Sequence, residues 1–533
     1  MTATLRILVL LLVVIAAVAV IAKRVQIPPA ILLVLTGILL ALVPGLPPVN
    51  LAPRFVLLFV LPPLVYSSAV AMSWRDFRFN LRPISLLAVG CVLFTTMATA
   101  AVAHMLLGFS WSVGFVLGAI VSPPDAVAPL AIARKLQLPR RLLVILEGEG
   151  LANDASALIL YRFAVVAVSV GTFSATRAAG TFAAILFGEI MWGIVTGWLM
   201  LRFRRWVRDP RIEIMLSILT PFLAYWPPEY LGGSGVLATV SAGLYISWNG
   251  LRLISAATRL QGIFFWDFLM YLTEGFVFLI TGLQARTLIA SFHGDSLREL
   301  AASGAIVCGV VIAARFIWMF PATYLPRWLI PSIARNDPAP PWQWPFALAF
   351  TGVRGVVSLA AALAIPLTTE SGALFPDRER TLFLTFSVIV VTLVGQGLML
   401  PAVIRALGLA HAGRREHNAD VIEEEEARLQ ALEAANRRLD QLAEERRLPQ
   451  AVVRPLRSHL DEQREYGNLR RAAAHDEAHS IDLREEIELL LVAAERQHIN
   501  ELYIHGKLKD EARRRIEREF DLQEAQLTRF QTD

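Results

Sequence analysis

Three carboxylates and one amide crowd into eight consecutive residues of an otherwise oily stretch: EGEGLAND supplies Glu147, Glu149, Asn153 and Asp154. Glu149 and Asn153 are four apart and share a helix face, whereas Asp154 is turned from Asn153 by about 100°. Two other apolar stretches carry a charge beside helix breakers. SPPDAVAPLAIA sets Asp125 among Pro123, Pro124 and Pro129, and FTGVRGVVSLAAALAIP sets Arg354 between Gly352 and Gly355. One face of the EGEGLAND helix can meet Arg354 while the next meets Asp125 and a passing ion.

A charge at the centre of a bilayer costs about 2.5–3.5 kcal/mol even on the mildest scale, so such groups persist with partners or water. Glu149 and Arg354 are therefore expected as a structural ion pair between helices. One arginine cannot also neutralise Asp125 and Asp154, and these two, with Asn153, are expected to bind ions. A carboxyl taken out of water favours its protonated form, whereas a hard monovalent cation wants oxygen ligands and favours the ionised form. Proton and cation then compete for one group, and if only loaded states switch sides the outcome is exchange. Asn153 adds an amide without adding charge. One titrating aspartate in the pair suits one proton per cation, with no net charge moved.

The elements that must position these residues are membrane helices. Of 533 residues, 55% are hydrophobic and 18% charged, with mean hydropathy +0.53, too apolar for a soluble chain of this length. Charge is unevenly placed: 17 of the 45 acidic residues precede His411 and the other 28 follow it. Windows of about 20 apolar residues predict about thirteen spans, near residues 5–22, 28–44, 52–71, 83–107, 112–133, 142–170, 178–201, 212–226, 233–249, 262–285, 300–325, 343–367 and 381–409. The interrupted fifth and twelfth are seven apart, as expected if spans 1–6 and 8–13 are inverted repeats. Paired interrupted helices in corresponding positions point to a transporter's binding site, and broken helix at membrane depth must be buried in protein or line a wet cavity.

Alternate loops hold the bulk of the arginine and lysine: Lys23 and Arg24; Arg75, Arg78 and Arg82; Arg134, Lys135, Arg140 and Arg141; a run from Arg202 to Arg211; Arg252 and Arg259; Arg327 and Arg335. The basic side is expected to be cytoplasmic, which puts the N-terminus outside and the tail inside the plasma (inner) membrane. Arg6 followed by an apolar run is read as a first span and not a cleaved signal, because Lys23-Arg24 and a second span follow directly. Cys91 and Cys308 both sit in apolar segments, which excludes a disulfide framework. From His411 the chain turns into charged helix that Pro449 ends, with another helix beginning near IDLREE. The expected fold is thus an all-α polytopic membrane protein of crossed broken helices, residues 1–410, with a helical cytoplasmic tail, 411–533.

VSPPDAVAPLAIARKLQLPRRLLVILEGEGLANDASALILYRFA resembles the core of the monovalent cation:proton antiporters, the family of bacterial and archaeal NhaP proteins and animal sodium/proton exchangers. FVFLITGLQ, TGVRGVVSLAAALAIP and LPPLVYSS resemble its other spans, so the likeness covers about residues 5–410. It implies that Asp154 is the principal ion- and proton-binding carboxylate and that Asn153 is the neutral member typical of electroneutral exchangers. Asp125 would be a cation ligand at the crossing, and Glu149 with Arg354 the buried pair. It also implies a homodimer and an elevator-like movement. The sequence departs from many relatives at Ser67, where an acidic residue is common after LPPL, at Gly150, where serine is common, and at Pro124, where some have threonine. Ser67 is retained as a candidate ligand in place of the missing carboxylate.

The function expected is a secondary antiporter exchanging Na⁺ or Li⁺ for H⁺, with K⁺/H⁺ exchange as the alternative and a non-transporting membrane sensor as the alternative of another class. An intramembrane aspartyl protease would want Tyr-Asp and Gly-x-Gly-Asp arrangements, and neither occurs. A passive channel is disfavoured because tightly binding carboxylates slow release. No cofactor motif for nucleotide, calcium or zinc is present, and the arginines in short loops do not argue for nucleic acid. The partners expected are Na⁺, H⁺ and the lipid bilayer.

Overall fold

The computed structural model describes residues 2–44, 53–170, 175–207, 209–250, 253–290, 297–369, 372–473, 479–505 and 507–528. Among these the elements are helices, and one isolated antiparallel β-bridge joins Thr368 and Leu374. The chain divides into two compact units, Met1–Gly413 and Arg414–Asp533.

Each of the thirteen expected windows holds helix, but eight helices among the described residues are long and apolar enough to cross a bilayer unaided. The remaining windows hold helices that are short, such as Pro29–Ala41, broken, or interrupted by proline, as in Pro210–Tyr230 with Pro221, Pro227 and Pro228. The count of thirteen therefore does not follow from length and apolarity. Large apolar side chains such as Phe187, Trp198 and Phe264 are exposed on these helices, as expected where lipid is the solvent.

Two windows are broken as the prolines and glycines dictate. The fifth consists of Trp111–Val121 and Val127–Lys135, with Pro123 and Pro124 in the gap. Pro129 falls in the first turn of the second half, where its missing N–H costs nothing. The twelfth consists of Gln343–Phe350 and Val356–Leu363, with Gly352 and Gly355 in the gap. The two gaps touch: the Asp125 N–H donates to the Val353 carbonyl at 2.7 Å.

Elsewhere helices approach through glycine. A Cβ on Gly282 would lie 2.2 Å from the Val34 carbonyl oxygen and 2.8 Å from the Gly37 Cα, so Pro29–Ala41 and Ala256–Leu283 meet backbone to backbone. At one membrane face Arg82, Arg141 and Arg327, from three of the arginine-rich loops, converge on Asp337. Arg82 Nη2 donates to Oδ2, as does Arg327 Nη2 at 2.8 Å, and Arg141 Nη1 lies 2.8 Å from Oδ1. Three loops expected on one side thus lie together.

The second unit is helical: Leu409–Glu445 runs into it, followed by Gln450–Ala473, His479–Ile504 and Asp510–Thr528. The chain turns at Arg447, which has φ 47°, immediately before Leu448-Pro449. Gly467 packs on Leu429, and Arg496 binds Asp521 and Glu524 at 2.8 and 2.7 Å. Four helices thus stand where the sequence suggests two.

Two outcomes follow. Gly282→Val should destabilise the detergent-solubilised protein by about 1–3 kcal/mol through overpacking, whereas Gly262→Val on the same helix, where a Cβ meets nothing within 4 Å, should shift its melting midpoint far less. Partial burial opposes ionisation of Asp337, but the adjacent guanidinium groups of Arg141 and Arg327 outweigh it and hold this carboxyl below the ordinary aspartate range. A lowered folded value means the contact stabilises above the unfolded value of about 3.9 and is lost as pH falls through the folded one. Asp337→Asn should therefore melt earlier than the parent at pH 7 and pH 5 alike, the difference narrowing only below about pH 4.

Candidate functional site

Breaking a helix at membrane depth releases carbonyls at one end and N–H groups at the other, and each must be satisfied within the protein. The carbonyls of Val121 and Ser122 accept from Arg354 Nε at 2.9 Å and Nη2 at 3.4 Å, and that of Gly352 accepts from Arg354 Nη1. The carbonyl of Leu348, near the end of Gln343–Phe350, accepts from Arg315 Nε at 3.2 Å and Nη2 at 2.9 Å. Each first half-helix therefore ends on a buried guanidinium, where a positive charge also complements the helix dipole. The Pro124 carbonyl accepts from Asn153 Nδ2 at 2.6 Å.

On the donor side, Val127 N–H bonds Asp125 Oδ1 at 2.9 Å, so the aspartate caps the second half of its own broken helix. Arg354 N–H bonds the Thr392 hydroxyl at 2.9 Å. Thr392 lies on the π-helical segment Val391–Gln396, of the kind that recurs at functional sites. The other Asp125 oxygen lies against Gly355, where an added Cβ would fall 1.7 Å from it. Gly355 has φ −132°, ordinary extended backbone, so glycine is needed here for space and not for conformation. Gly352 likewise leaves room for the Arg315 side chain, whose Cδ would lie 2.4 Å from its Cβ.

The expected partner of Glu149 was Arg354; the pair formed is with Arg315. Arg315 Nη1 and Nη2 grip Glu149 Oε1 and Oε2 at 2.5 and 2.8 Å, and both side chains are at most 2% exposed. The reason is geometric. Arg354 sits in the gap itself and is drawn to three carbonyls, while the Glu149 face of Arg140–Val170 looks toward Leu297–Leu329, which carries Arg315. Arg315 escaped the sequence reading, although a lone arginine in the apolar window 300–325 is itself a signal of a buried partner. Thr392 carried no such signal.

Asn153 is fully buried, and its Oδ1 has no hydrogen-bond partner. Asp154 is half-buried and near enough to Asp125 for the two charges to oppose each other. Asp125, Asn153 and Asp154 are thus brought together at the first break, with Pro123 and Pro124 forming it. An unpartnered amide oxygen and two carboxylates at one break are hard oxygen donors, the kind an alkali cation accepts, and a cation between the aspartates would relieve their repulsion.

Ser67 and the other polar groups of the spans are placed differently. The Ser67 hydroxyl donates to the Leu64 carbonyl at 3.2 Å, on its own helix and not toward the carboxylates. Glu147 pairs with the exposed Arg134. Glu189, 2% exposed, receives the N–H groups of Ser234, Gly235 and Leu237 and so caps the Val236–Gly250 helix. His104 Nδ1 lies 2.7 Å from the Phe109 carbonyl oxygen and holds a turn. Glu274 is half-buried and within electrostatic reach of Asp125, while Asp267 is exposed.

The family model described as "Sodium/hydrogen exchanger, transmembrane" matches residues 8–406. The chain is 34% identical over 514 residues to a protein described as an uncharacterized Na(+)/H(+) exchanger of Mycobacterium bovis, covering 95% of this chain and 93% of that one. It is 32% identical over 387 residues to the sodium, potassium, lithium and rubidium/H(+) antiporter of Bacillus pumilus, covering 70% of this chain and 57% of that one. Its fold is similar to that of the sodium proton antiporter MjNhaP1 from Methanocaldococcus jannaschii, with TM-score 0.61 at 18% identity, over 76% of this chain and 99% of that one.

Removing one member of the buried pair leaves an uncompensated charge. Arg315→Ala should cost about 3–5 kcal/mol in thermal-melting measurements, and Glu149→Leu with Arg315→Met should recover much of it. Recovery in Glu149→Leu with Arg354→Met instead would restore Arg354 as the partner.

Proposed function

This chain belongs to the sodium/hydrogen exchanger family, transporters and not enzymes, and on that premise we propose that it exchanges Na⁺ or Li⁺ for H⁺ across the plasma membrane by alternating occupancy of Asp154. The observation that carries the reading is the buried Asn153, whose amide nitrogen is held by the Pro124 carbonyl at the break while its oxygen has no hydrogen-bond partner, on the same helix as Asp154, which interacts electrostatically with Asp125. With the nitrogen committed, the oxygen is left as an acceptor at the break.

In this reading a cation takes oxygens from Asp154, Asp125 and Asn153, and a proton on Asp154 replaces it. Glu149 and Arg315 neutralise each other, and Arg354 stays on its carbonyls, so these charges are spectators of the exchange. With the neutral Asn153 beside it, one carboxylate alternating between H⁺ and a monovalent cation moves no net charge. The loop-charge rule puts the N-terminus outside and the tail in the cytoplasm, and the resemblance to the NhaP group supports a homodimer. K⁺/H⁺ exchange stays as a second reading because one relative is described as taking sodium, potassium, lithium and rubidium.

Proteoliposomes carrying the full chain and an imposed pH gradient should dissipate it on addition of Na⁺ or Li⁺. Asp154→Asn should abolish this, and Gly355→Ala should slow it at least tenfold by crowding Asp125, an estimate in line with the cost of misplacing a site group by about 1 Å. Because cation and proton compete, raising the pH should lower the Na⁺ concentration needed for half-maximal rate. A K⁺ arm decides the cation, and an imposed membrane potential should leave the rate unchanged. Normal exchange by Asp154→Asn would remove the site assignment.

A further inference from the structure

Asp337 and its three arginines border a cleft that the exchange reading does not use. The cleft is small, with a volume of about 40 Å³, and opens to the surface. Arg82, Arg141 and Arg327 line it, together with Thr323, Trp344 and apolar groups that include Leu348. Four segments contribute: the start of the Leu81–Leu107 span, the start of Arg140–Val170, the end of Leu297–Leu329, and Gln343–Phe350. The side chains of Arg82 and Arg141 are 28% and 26% exposed, half-sheltered and reachable from outside.

Three guanidinium groups face one carboxylate, an excess of two positive charges at a membrane surface. The carboxylate is also an imperfect partner. Asp337 Oδ1 is buried and sits 2.8 Å from Arg141 Nη1, yet the contact misses hydrogen-bond geometry. Guanidinium forks match the oxygens of a phosphate better than those of a single carboxylate shared three ways, and a basic pocket between helix ends suits a charged head group.

We propose that this cleft binds a phosphate-bearing anion on Arg82, Arg141 and Arg327, with Asp337 as the internal group it displaces. The same chemistry is offered by the head group of an anionic phospholipid and by free phosphate. The site borders the second broken helix: Leu348, which lines it, is the residue whose carbonyl Arg315 holds. An occupant would therefore rest against the helix end that the buried pair supports.

The test uses the purified full-length protein and follows its melting midpoint in three series: phosphatidylglycerol in phosphatidylcholine nanodiscs, inorganic phosphate in detergent, and chloride at matched ionic strength. Phosphatidylglycerol should raise the midpoint in a saturable way, and chloride should not. A response to both phosphate and phosphatidylglycerol identifies the phosphate group as sufficient; a response to the lipid alone identifies the membrane as its source. Arg82→Ala with Arg141→Ala should weaken the apparent affinity at least about tenfold. Asp337→Asn lowers the baseline midpoint but should tighten anion binding several-fold, the opposite of what a purely structural clasp would do. No response beyond chloride in either series, or a weaker response in Asp337→Asn, overturns the proposal.

Discussion

Two helices are interrupted inside the membrane-spanning unit, and the backbone groups those interruptions release cannot turn to water. That constraint organises everything around it. The carbonyls of Val121, Ser122, Pro124, Leu348 and Gly352 are met by Arg354, Asn153 and Arg315, and the freed N–H groups by Val353, Asp125 and Thr392. Each partner is itself polar and buried, so each must be satisfied in turn. Most of the backbone groups freed at the two breaks therefore have a named partner, whereas the buried Asn153 oxygen has none.

This explains a division of labour among charges that look alike in sequence. Arg354 and Arg315 are buried guanidinium groups, one at each break, and both cap the first half of a broken helix. Arg315 has a carboxylate as well, because it reaches Glu149 on the neighbouring helix, whereas Arg354 is surrounded by carbonyls alone. Glu149 is thereby committed to Arg315, and Glu189 to three N–H groups at a helix start. Asp125 has a double role. One oxygen caps the helix and the other faces Gly355, at the only spacing that leaves it free of a side chain.

A second centre forms at the membrane face, where Asp337 ties together the ends of three spans. It works by the same economy of one acid and several arginines but in contact with water, where ion pairs are individually weak and where an outside anion can compete. The inner centre is buried, and its guanidinium groups are committed to carbonyls and to Glu149. The outer one is open to a competing anion.

Composition and hydropathy alone determined a helical membrane chain with a charged tail, because the length and apolarity of a span are properties of local sequence. Proline and glycine likewise determined where the two helices break, since both act on their own backbone. EGEGLAND and SPPD marked the site because buried charge is rare enough to need a reason. The tertiary structure decided who meets whom. Nothing in FTGVRGVV says that Arg354 turns to carbonyls and leaves Glu149 to Arg315, because the choice depends on which helix lies behind the EGEG face. Ser67 looked like a spare ligand and is bonded within its own helix, and Thr392 looked like any buried threonine and receives the backbone of the break. Pairing across 166 residues, as between Glu149 and Arg315, is set by the packing of whole helices, which no local pattern encodes.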